Sequence, residues 1–465
     1  VRASRAVINM RIPIALLIAA SLQAVAQGPP ESTLPNNAEI RKILADRIDI
    51  ERQSIGIVVG VIEPRGRRIV AYGSLAKGDK LDGDTVFEIG TVTKVFTSLL
   101  LADMVERKQL ALVDPVAKYL PRGLKVPERG GPITLESLSL QTSGLPCLPS
   151  NLTAADDPSD PYAEYSVERL YQFLWNYTLT RDVGAGYEYS NLGVGLLGHV
   201  LARSTGMDYS TLLESRITAP LGMTNTRIEL SPEIKAILSS TYDAALAPVP
   251  GWDIGVLAGA GALRTTANDL LRFLAANLGY TRTPLAPAMA AMLKVRCPTG
   301  TPGLEAALGW LVSNSGIVWH DGSTGGYRSF VGFNPSTRTG VVVLSNAETD
   351  PGVDDIGRHL LDPGFPLLKT KLYTELEVVE PKLLDLCVGR YQFGSGALLS
   401  ITRAGNRLWS QRTGQEKIQL YAESDRDYFY KVVDAQITFE TTGQQPAAAL
   451  VLHQNGQDLR APRVR

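Results

Sequence analysis

The chain has 465 residues, 44% of them hydrophobic, and a formal net charge of -1 at pH 7. It can therefore bury a large core, while so balanced a charge argues against a nucleic-acid face or a general attraction to acidic surfaces. At roughly 100 to 200 residues per domain, this length implies two or three domains.

Near the N-terminus, Arg2, Arg5 and Arg11 precede the apolar run Ile12 to Ala20, and Ala24-Val25-Ala26 follows. That order reads as an export signal, residues 1–26, cleaved after Ala26, and places the protein in the periplasm or outside the cell. A membrane anchor is the other reading, but the run is well short of the roughly 20 residues that span a bilayer. No later segment is long and apolar enough to span.

Ala38 to Ile48 repeats apolar residues at helical spacing. The β-branched runs Ser54–Ile62 and Arg68–Gly73 are joined by Pro64-Arg65-Gly66, which predicts a hairpin. From about Val95 to Asn277 the periodicity is helical, and Val167, Leu170, Tyr171, Leu174 and Trp175 draw one apolar stripe. Strand character returns at Gly316–His320, Ser329–Phe333 and Gly340–Ser345, and Val353 to Leu361 closes as a helix. Strands at both ends with helices between them predict an α/β (α+β) unit, one sheet assembled from distant segments with an inserted helical lobe and a cleft between the lobes. The chain breaks around Pro363-Gly364-Phe365-Pro366, dividing a domain at 27–365 from a small all-β domain at 366–465. Short strands are expected there at 397–402, 407–411, 428–433, 436–439 and 449–453, in a barrel or a sandwich, read as a packing or substrate-shaping appendage.

Cys147, Cys297 and Cys387 lie far apart and spell neither a zinc pattern nor a disulfide framework, although one bridge, Cys147 to Cys297, stays open in an oxidising compartment. His199, His320, His359 and His453 are equally scattered and no H-E-x-x-H exists, so no metal or other cofactor is expected.

Three local patterns carry chemistry. In Phe87 to Leu101, a hydroxyl residue, Thr91, opens a helix with Lys94 three positions on, which puts Oγ and Nζ on one face within reach. The helix start supplies N–H groups for an oxyanion, and Lys94 acts as a base only if burial leaves it partly neutral. Taken alone, Thr91 reads equally as an N-cap and Lys94 as a surface side chain. In Gly186 to Gly193, Tyr189 is placed to shuttle a proton and Asn191 to hold a substrate carbonyl or amide; the plainer reading makes Asn191 a helix cap and Tyr189 a core residue. In Trp319 to Gly326, a strand ends in a glycine-rich turn, with His320 as electrophile or proton donor, Gly322 allowing close approach and the Ser323 N–H completing an oxyanion hole.

In order and context, Thr91-x-x-Lys94, Tyr189-x-Asn191 and His320-x-Gly322 resemble the S-x-x-K, Y-x-N and K/H-T-G triplet of the class C β-lactamase, D-alanyl-D-alanine carboxypeptidase and related esterase family. Gln141-Thr142-Ser143-Gly144-Leu145-Pro146 resembles that family's H-T-S-G-L-P, and Ala258 to Leu263 its glycine-rich run before a helix. The likeness covers about Asn37 to Leu361. It implies a β-lactamase/transpeptidase-like antiparallel sheet flanked by helices, and acyl transfer through an acyl-enzyme on a small-molecule or peptide substrate, possible sources including the cell wall. Residue by residue, it implies that Thr91 stands for the nucleophile, Lys94 and Tyr189 share proton transfer, Asn191 and His320 hold substrate, and the Thr91 and Ser323 amides form the oxyanion hole.

Two departures bear on activity. Threonine at the nucleophile position adds a methyl group that restricts the rotamer and crowds attack, which leaves open a catalytically impaired homologue that binds peptidoglycan-like peptides. Asp321 replaces a small hydroxyl residue; facing the cleft, it would repel a substrate carboxylate and favour esters or uncharged amides over β-lactams. Ser74-Leu75-Ala76-Lys77 also spells S-x-x-K but follows a strand and lacks an apolar helix after it, so it is read as a coincidence.

Overall fold

The structure is a computed structural model and describes residues 34–75, 78, 80–152, 160–368, 376, 379–394, 397–412, 417–430, 435–454 and 457–464. The segment read as an export signal lies outside the described residues, as do Ala76 and Lys77.

Helix α1 (Asn37–Ala45) starts where the Asn36 side chain accepts the N–H groups of Ala38 and Glu39 while Glu39 accepts the Asn36 N–H, a reciprocal cap. Strands β1 (Gly56–Glu63) and β2 (Gly66–Gly73) form the expected hairpin, Glu63 facing Gly66 across the turn. After β3 (Val86–Glu88) come α2 (Thr93–Glu106), α3 (Leu135–Ser139), α4 (Val167–Asn176), α5 (Asn191–Thr205), α6 (Tyr209–Leu213) and α7 (Pro232–Ala236). Strand β4 (Arg264–Thr266) returns to pair with β3, and α8 (Ala267–Asn277) and α9 (Ala286–Met292) follow. Then come β5 (Arg296–Pro298), β6 (Leu304–Ala307), β7 (Leu311–Ser313), β8 (Val318–Thr324), β9 (Tyr327–Asn334), β10 (Thr339–Ser345) and α10 (Asp354–Leu361).

The main sheet is antiparallel, in the order β2-β1-β10-β9-β8-β7-β6-β5. The pairing of β1 with β10 joins the two ends of this unit, Ile57 opposite Ser345 through Ile62 opposite Gly340. Both faces are covered, which is why β10 reads as an unbroken apolar run rather than an alternation. Val58, Ile62, Val342 and Leu344 pack with the helical lobe, α8 included, while Ile57, Val59, Val341 and Val343 pack with Ile40 and Leu44 of α1 and Ile356 and Leu360 of α10. Helix α2 is buried from Thr93 to Met104, its apolar residues lying in the core together with the polar Lys94, Thr97, Ser98 and Asp103.

The sequence did not signal β3 to β7. Each has only three or four residues, too few for a period to register. The strand expected from Gly316 begins at Val318 instead, because Gly316 takes φ +80° in the turn that closes on Ser313.

Beyond α11 (Pro381–Cys387), strands β11 (Gly389–Gln392), β12 (Leu398–Ala404), β13 (Arg407–Arg412), β14 (Lys417–Ala422), β15 (Asp427–Phe429), β16 (Ala435–Glu440), β17 (Ala449–Gln454) and β18 (Gln457–Val464) form a closed antiparallel barrel. Closure runs through Arg390 opposite Val464. The barrel has its own core, including Tyr391, Ile401, Leu408, Ile437, Phe439 and Leu450, with Leu384 and Cys387 of α11 packed into it. All three cysteines are free thiols.

Candidate active site

The site begins where a turn meets a strand without a side chain between them. Gly90 has φ +47°, and a Cβ there would lie 2.3 Å from the Ser323 oxygen; a Cβ on Gly322 would lie 2.1 Å from the Ile89 oxygen. Only glycine fits either position, so the Ile89–Gly90 backbone rests directly on β8. Ser329 Oγ donates to the Ile89 carbonyl at 2.8 Å and fixes the approach. The single 3-10 turn Gly90–Val92 then feeds α2, which carries Lys94.

Lys94 is 1% exposed. Its Nζ donates to Tyr189 Oη at 2.7 Å, to Asn191 Oδ1 at 2.6 Å and to the Ala260 carbonyl at 3.5 Å. Burial outweighs the charges of Cys147 and Asp321 and brings its pKa down to about 7. The Tyr189 phenol hydrogen-bonds Thr91 and is itself pushed far above the ordinary phenol range by burial. Lys94 Nζ also lies 4.4 Å from the centre of the Tyr189 ring.

Helix α5 is capped by Ser190, whose Oγ accepts the Gly193 N–H at 2.8 Å and donates to the Pro146 carbonyl at 2.6 Å. Asn191 is therefore not the cap, and its amide is turned to Lys94 and Tyr162. Gln141 Oε1 accepts the Ser190 N–H at 2.7 Å, tying this turn to the Gln141–Pro146 segment.

His320 is 4% exposed, and its Nδ1 donates to the Asp321 carbonyl at 2.6 Å. A carbonyl can only accept, so the proton sits on Nδ1 and Nε2 is left as an acceptor. Burial, helped by the charge of Lys94 and opposed by Asp321, lowers its pKa and favours the neutral ring. Strand alternation puts His320 on one face of β8 and Asp321, with Trp319, on the other. The Asp321 charge bears there on Asp354 and Arg358 of α10. The Asp321 carboxylate thus leaves β8 on the face opposite His320, while its charge still acts on Lys94, Tyr189 and His320 in the site.

The pairing of β7 with β8 ends at Trp319, so beyond it β8 is paired only with β9. Thr91 Oγ1 donates to the Asp321 carbonyl at 2.9 Å, which marks the unpaired edge. Main-chain groups two residues apart point the same way, so the Ser323 N–H shares that edge. Ser323 Oγ donates to Glu348 Oε1 at 3.3 Å, and Glu348 pairs with Arg328 at 3.1 Å.

Thr91, Lys94, Tyr189, Asn191, His320, Gly322 and Ser323, spread over the sequence, thus converge on one place. Ser74 sits apart, at the end of β2, with its N–H donated to the Ile55 carbonyl. Sequence reasoning missed Tyr162 and the Ala260 carbonyl, and had no structural use for Gln141. The signal for Ala260 was the glycine spacing on α5: a Cβ on Gly198 would lie 2.9 Å from the Gly259 Cα, so Gly198 lets the Gly255–Ala260 turn close on the helix and deliver that carbonyl to Lys94.

A mixed α/β unit of this layout, with a lysine-centred cluster at the start of a buried helix, defines the penicillin-recognising class of folds. The chain belongs to the beta-lactamase family, whose model matches residues 37–362. It is 29% identical over 350 residues to the D-alanyl-D-alanine-carboxypeptidase/endopeptidase AmpH of Escherichia coli (strain K12), covering 71% of this chain and 89% of that protein. A penicillin-binding protein of Bacillus subtilis (strain 168) is 25% identical over 425 residues, 85% of this chain and 91% of its own length. Among solved structures, a class C beta lactamase from Rhodobacter sphaeroides superposes with TM-score 0.57 at 26% identity, covering 67% of this chain and 94% of that one.

Proposed function

We propose that the chain is a hydrolase that works by acyl transfer, with Thr91 as nucleophile and an ester, a D-amino-acid peptide or a β-lactam as substrate. The observation that carries this reading is the buried amine of Lys94, held near neutrality and linked through Tyr189 to the Thr91 hydroxyl. Tyr189, with its raised pKa, keeps its proton at rest, so Lys94 is the base and Tyr189 the relay. As Thr91 Oγ1 bonds to the substrate carbonyl carbon, its proton passes to Tyr189, and the phenol proton passes to Lys94. The carbonyl oxygen gains the electron pair and is held by the Thr91 and Ser323 N–H groups. Collapse expels the leaving group, which takes its proton back along the same relay; water then attacks the acyl-enzyme with the relay running again. Asn191 and His320 hold the substrate, and Gly322 lets the Ile89–Gly90 backbone, and with it Thr91, close on β8.

The peptide and β-lactam classes rest on the names of relatives, a carboxypeptidase/endopeptidase and a beta-lactamase among them. The N-terminal residues 1–26 are proposed to direct export to the periplasm or medium, with a hydrolase domain at 27–365 and a β domain at 366–465. No nucleic-acid partner is proposed.

One observation favours a second reading, a catalytically impaired homologue that binds peptidoglycan-like peptides. The Thr91 hydroxyl proton is placed on the Asp321 carbonyl rather than on a base, and β-branching limits its freedom to turn. Labelled penicillin and a panel of esters and D-alanyl peptides, tested on wild type, Thr91→Ser and Thr91→Ala with intact-mass detection, separate the two. The catalytic reading expects an adduct on the peptide containing Thr91, none with alanine, and about a tenfold gain in kcat/KM with serine. An adduct on Thr91→Ser but not on wild type supports the binding reading, and equal turnover in all three removes Thr91 from the chemistry.

A further inference from the structure

At one end of the barrel a cavity of about 660 Å³ is lined by Leu384 of α11, the turn between β12 and β13, and Leu420. Helix α11 leads straight into β11 and packs Leu384 and Cys387 into the core at that end. At the opposite end a cavity of about 580 Å³ opens among the strands. That volume lies within the range of small-molecule sites, and eight strands is the size at which a barrel interior either fills with side chains or holds one small ligand.

The lining follows from alternation. On β13, Leu408 and Ser410 point inward and are buried, and the next inward position is the exposed Arg412. On β18, Ala461 is buried and the next inward position is Leu459, 45% exposed, an apolar side chain left open at the cavity. Phe393, Leu399, Ile418, Ala435 and Leu452 complete an apolar wall, and the small side chain of Ala435 helps leave the space empty. Deeper in, the Tyr430 phenol hydrogen-bonds Ser410. Of the charged groups at the rim, Arg460 is held by Glu440 at 2.6 Å and Asp458 by His453 at 2.7 Å. Among the described residues Arg412 has no ion-pair partner.

We infer that this cavity is a binding site for a single-chain carboxylate amphiphile of the fatty-acid type, its chain in the apolar wall and its carboxylate at Arg412. A chain of this kind satisfies both features at once: the open apolar surface is covered, and the unpaired guanidinium gains a charge-assisted, bidentate partner. This gives the barrel a ligand of its own rather than the role of a packing appendage, and it does not rest on the hydrolytic reading of the other domain.

The test uses the full chain and its Lys94→Ala variant, titrated with a dansylated undecanoate whose fluorescence reports burial and which laurate or dodecanol then displaces. One saturable site per chain is expected, unchanged by Lys94→Ala. Arg412→Gln is expected to weaken laurate about tenfold and leave dodecanol unaltered, while Ala435→Trp, which fills the cavity, abolishes binding of both. Should Ala435→Trp lose its circular dichroism signature, Leu459→Asp at the exposed mouth takes its place, with loss of laurate binding expected. No saturable binding, or binding that survives the cavity-filling variant in a folded chain, overturns the site; equal losses of laurate and dodecanol with Arg412→Gln overturn the assignment of the head group.

Discussion

At neutral pH an amine with an ordinary lysine pKa is unprotonated in fewer than about one molecule in a thousand, so a lysine serves as a base only where its surroundings disfavour the charge. Lys94 meets that condition through burial, with a pKa of about 7. The neutral form is the base, present above that value and lost below it. The kcat/KM of the best substrate is therefore expected to rise with pH through a midpoint near 7, and a profile flat from pH 5 to 9 would count against Lys94 as the base. Gly322 is the second residue with a sharp expectation. Gly322→Ala drives a methyl group against the Ile89 carbonyl, so about 1–3 kcal/mol of stability and most of the activity should be lost together, measured by denaturant titration and turnover on one preparation. At this scale the sequence was legible where chemistry is local: hydroxyl and amine three apart on a helix, phenol and amide two apart in a turn. The orientation of Asp321 was harder, although period-two alternation already forbids His320 and Asp321 from sharing a face.

At the scale of elements, contacts between distant segments decide the outcome. Arg47, in the turn after α1, is 3% exposed and its guanidinium meets Asp355 of α10 at 2.5 Å, with a further donation to the Gly352 carbonyl at 2.7 Å. The pair holds the first helix to the last one of the sheet unit. Asp355→Ala leaves the guanidinium with Glu51 at 3.0 Å as its remaining carboxylate, so it should cost about 1–3 kcal/mol, read as a shifted urea midpoint, and an unshifted midpoint would show the pair with Asp355 to be idle. Neither residue stood out in the sequence, since an arginine and an aspartate some three hundred positions apart carry no local pattern. The hairpin of β1 and β2 and the helices α4 and α10 did stand out, being long enough for their periods to register. For α5 the cap is Ser190 and not, as the plainer reading of that turn had it, Asn191, a one-residue distinction that sets where the Asn191 amide points.

At the scale of the whole molecule, the barrel's core shares no residue with the two cores that sandwich the main sheet. Phe439→Ala, at a fully buried barrel position, is thus expected to lower barrel stability by about 3–5 kcal/mol while leaving turnover unchanged, checked by calorimetry beside a kinetic assay. A fall in turnover of the same size would mean that the two units are energetically coupled. The alternating strands after α11 announced an all-β unit, but barrel and sandwich share the same alternation. Only the pairing of the first strand with the last, Arg390 with Val464, separates them.

The amine at the centre of the site is held by three stretches of chain, around positions 94, 189–191 and 260. Until all three have come together, that lysine is an ordinary solvated ammonium, locked by its proton. A polypeptide still being made, or still threading through a membrane, would then carry no working base. Reactivity of this design is thus a property of the assembled fold and of no single segment.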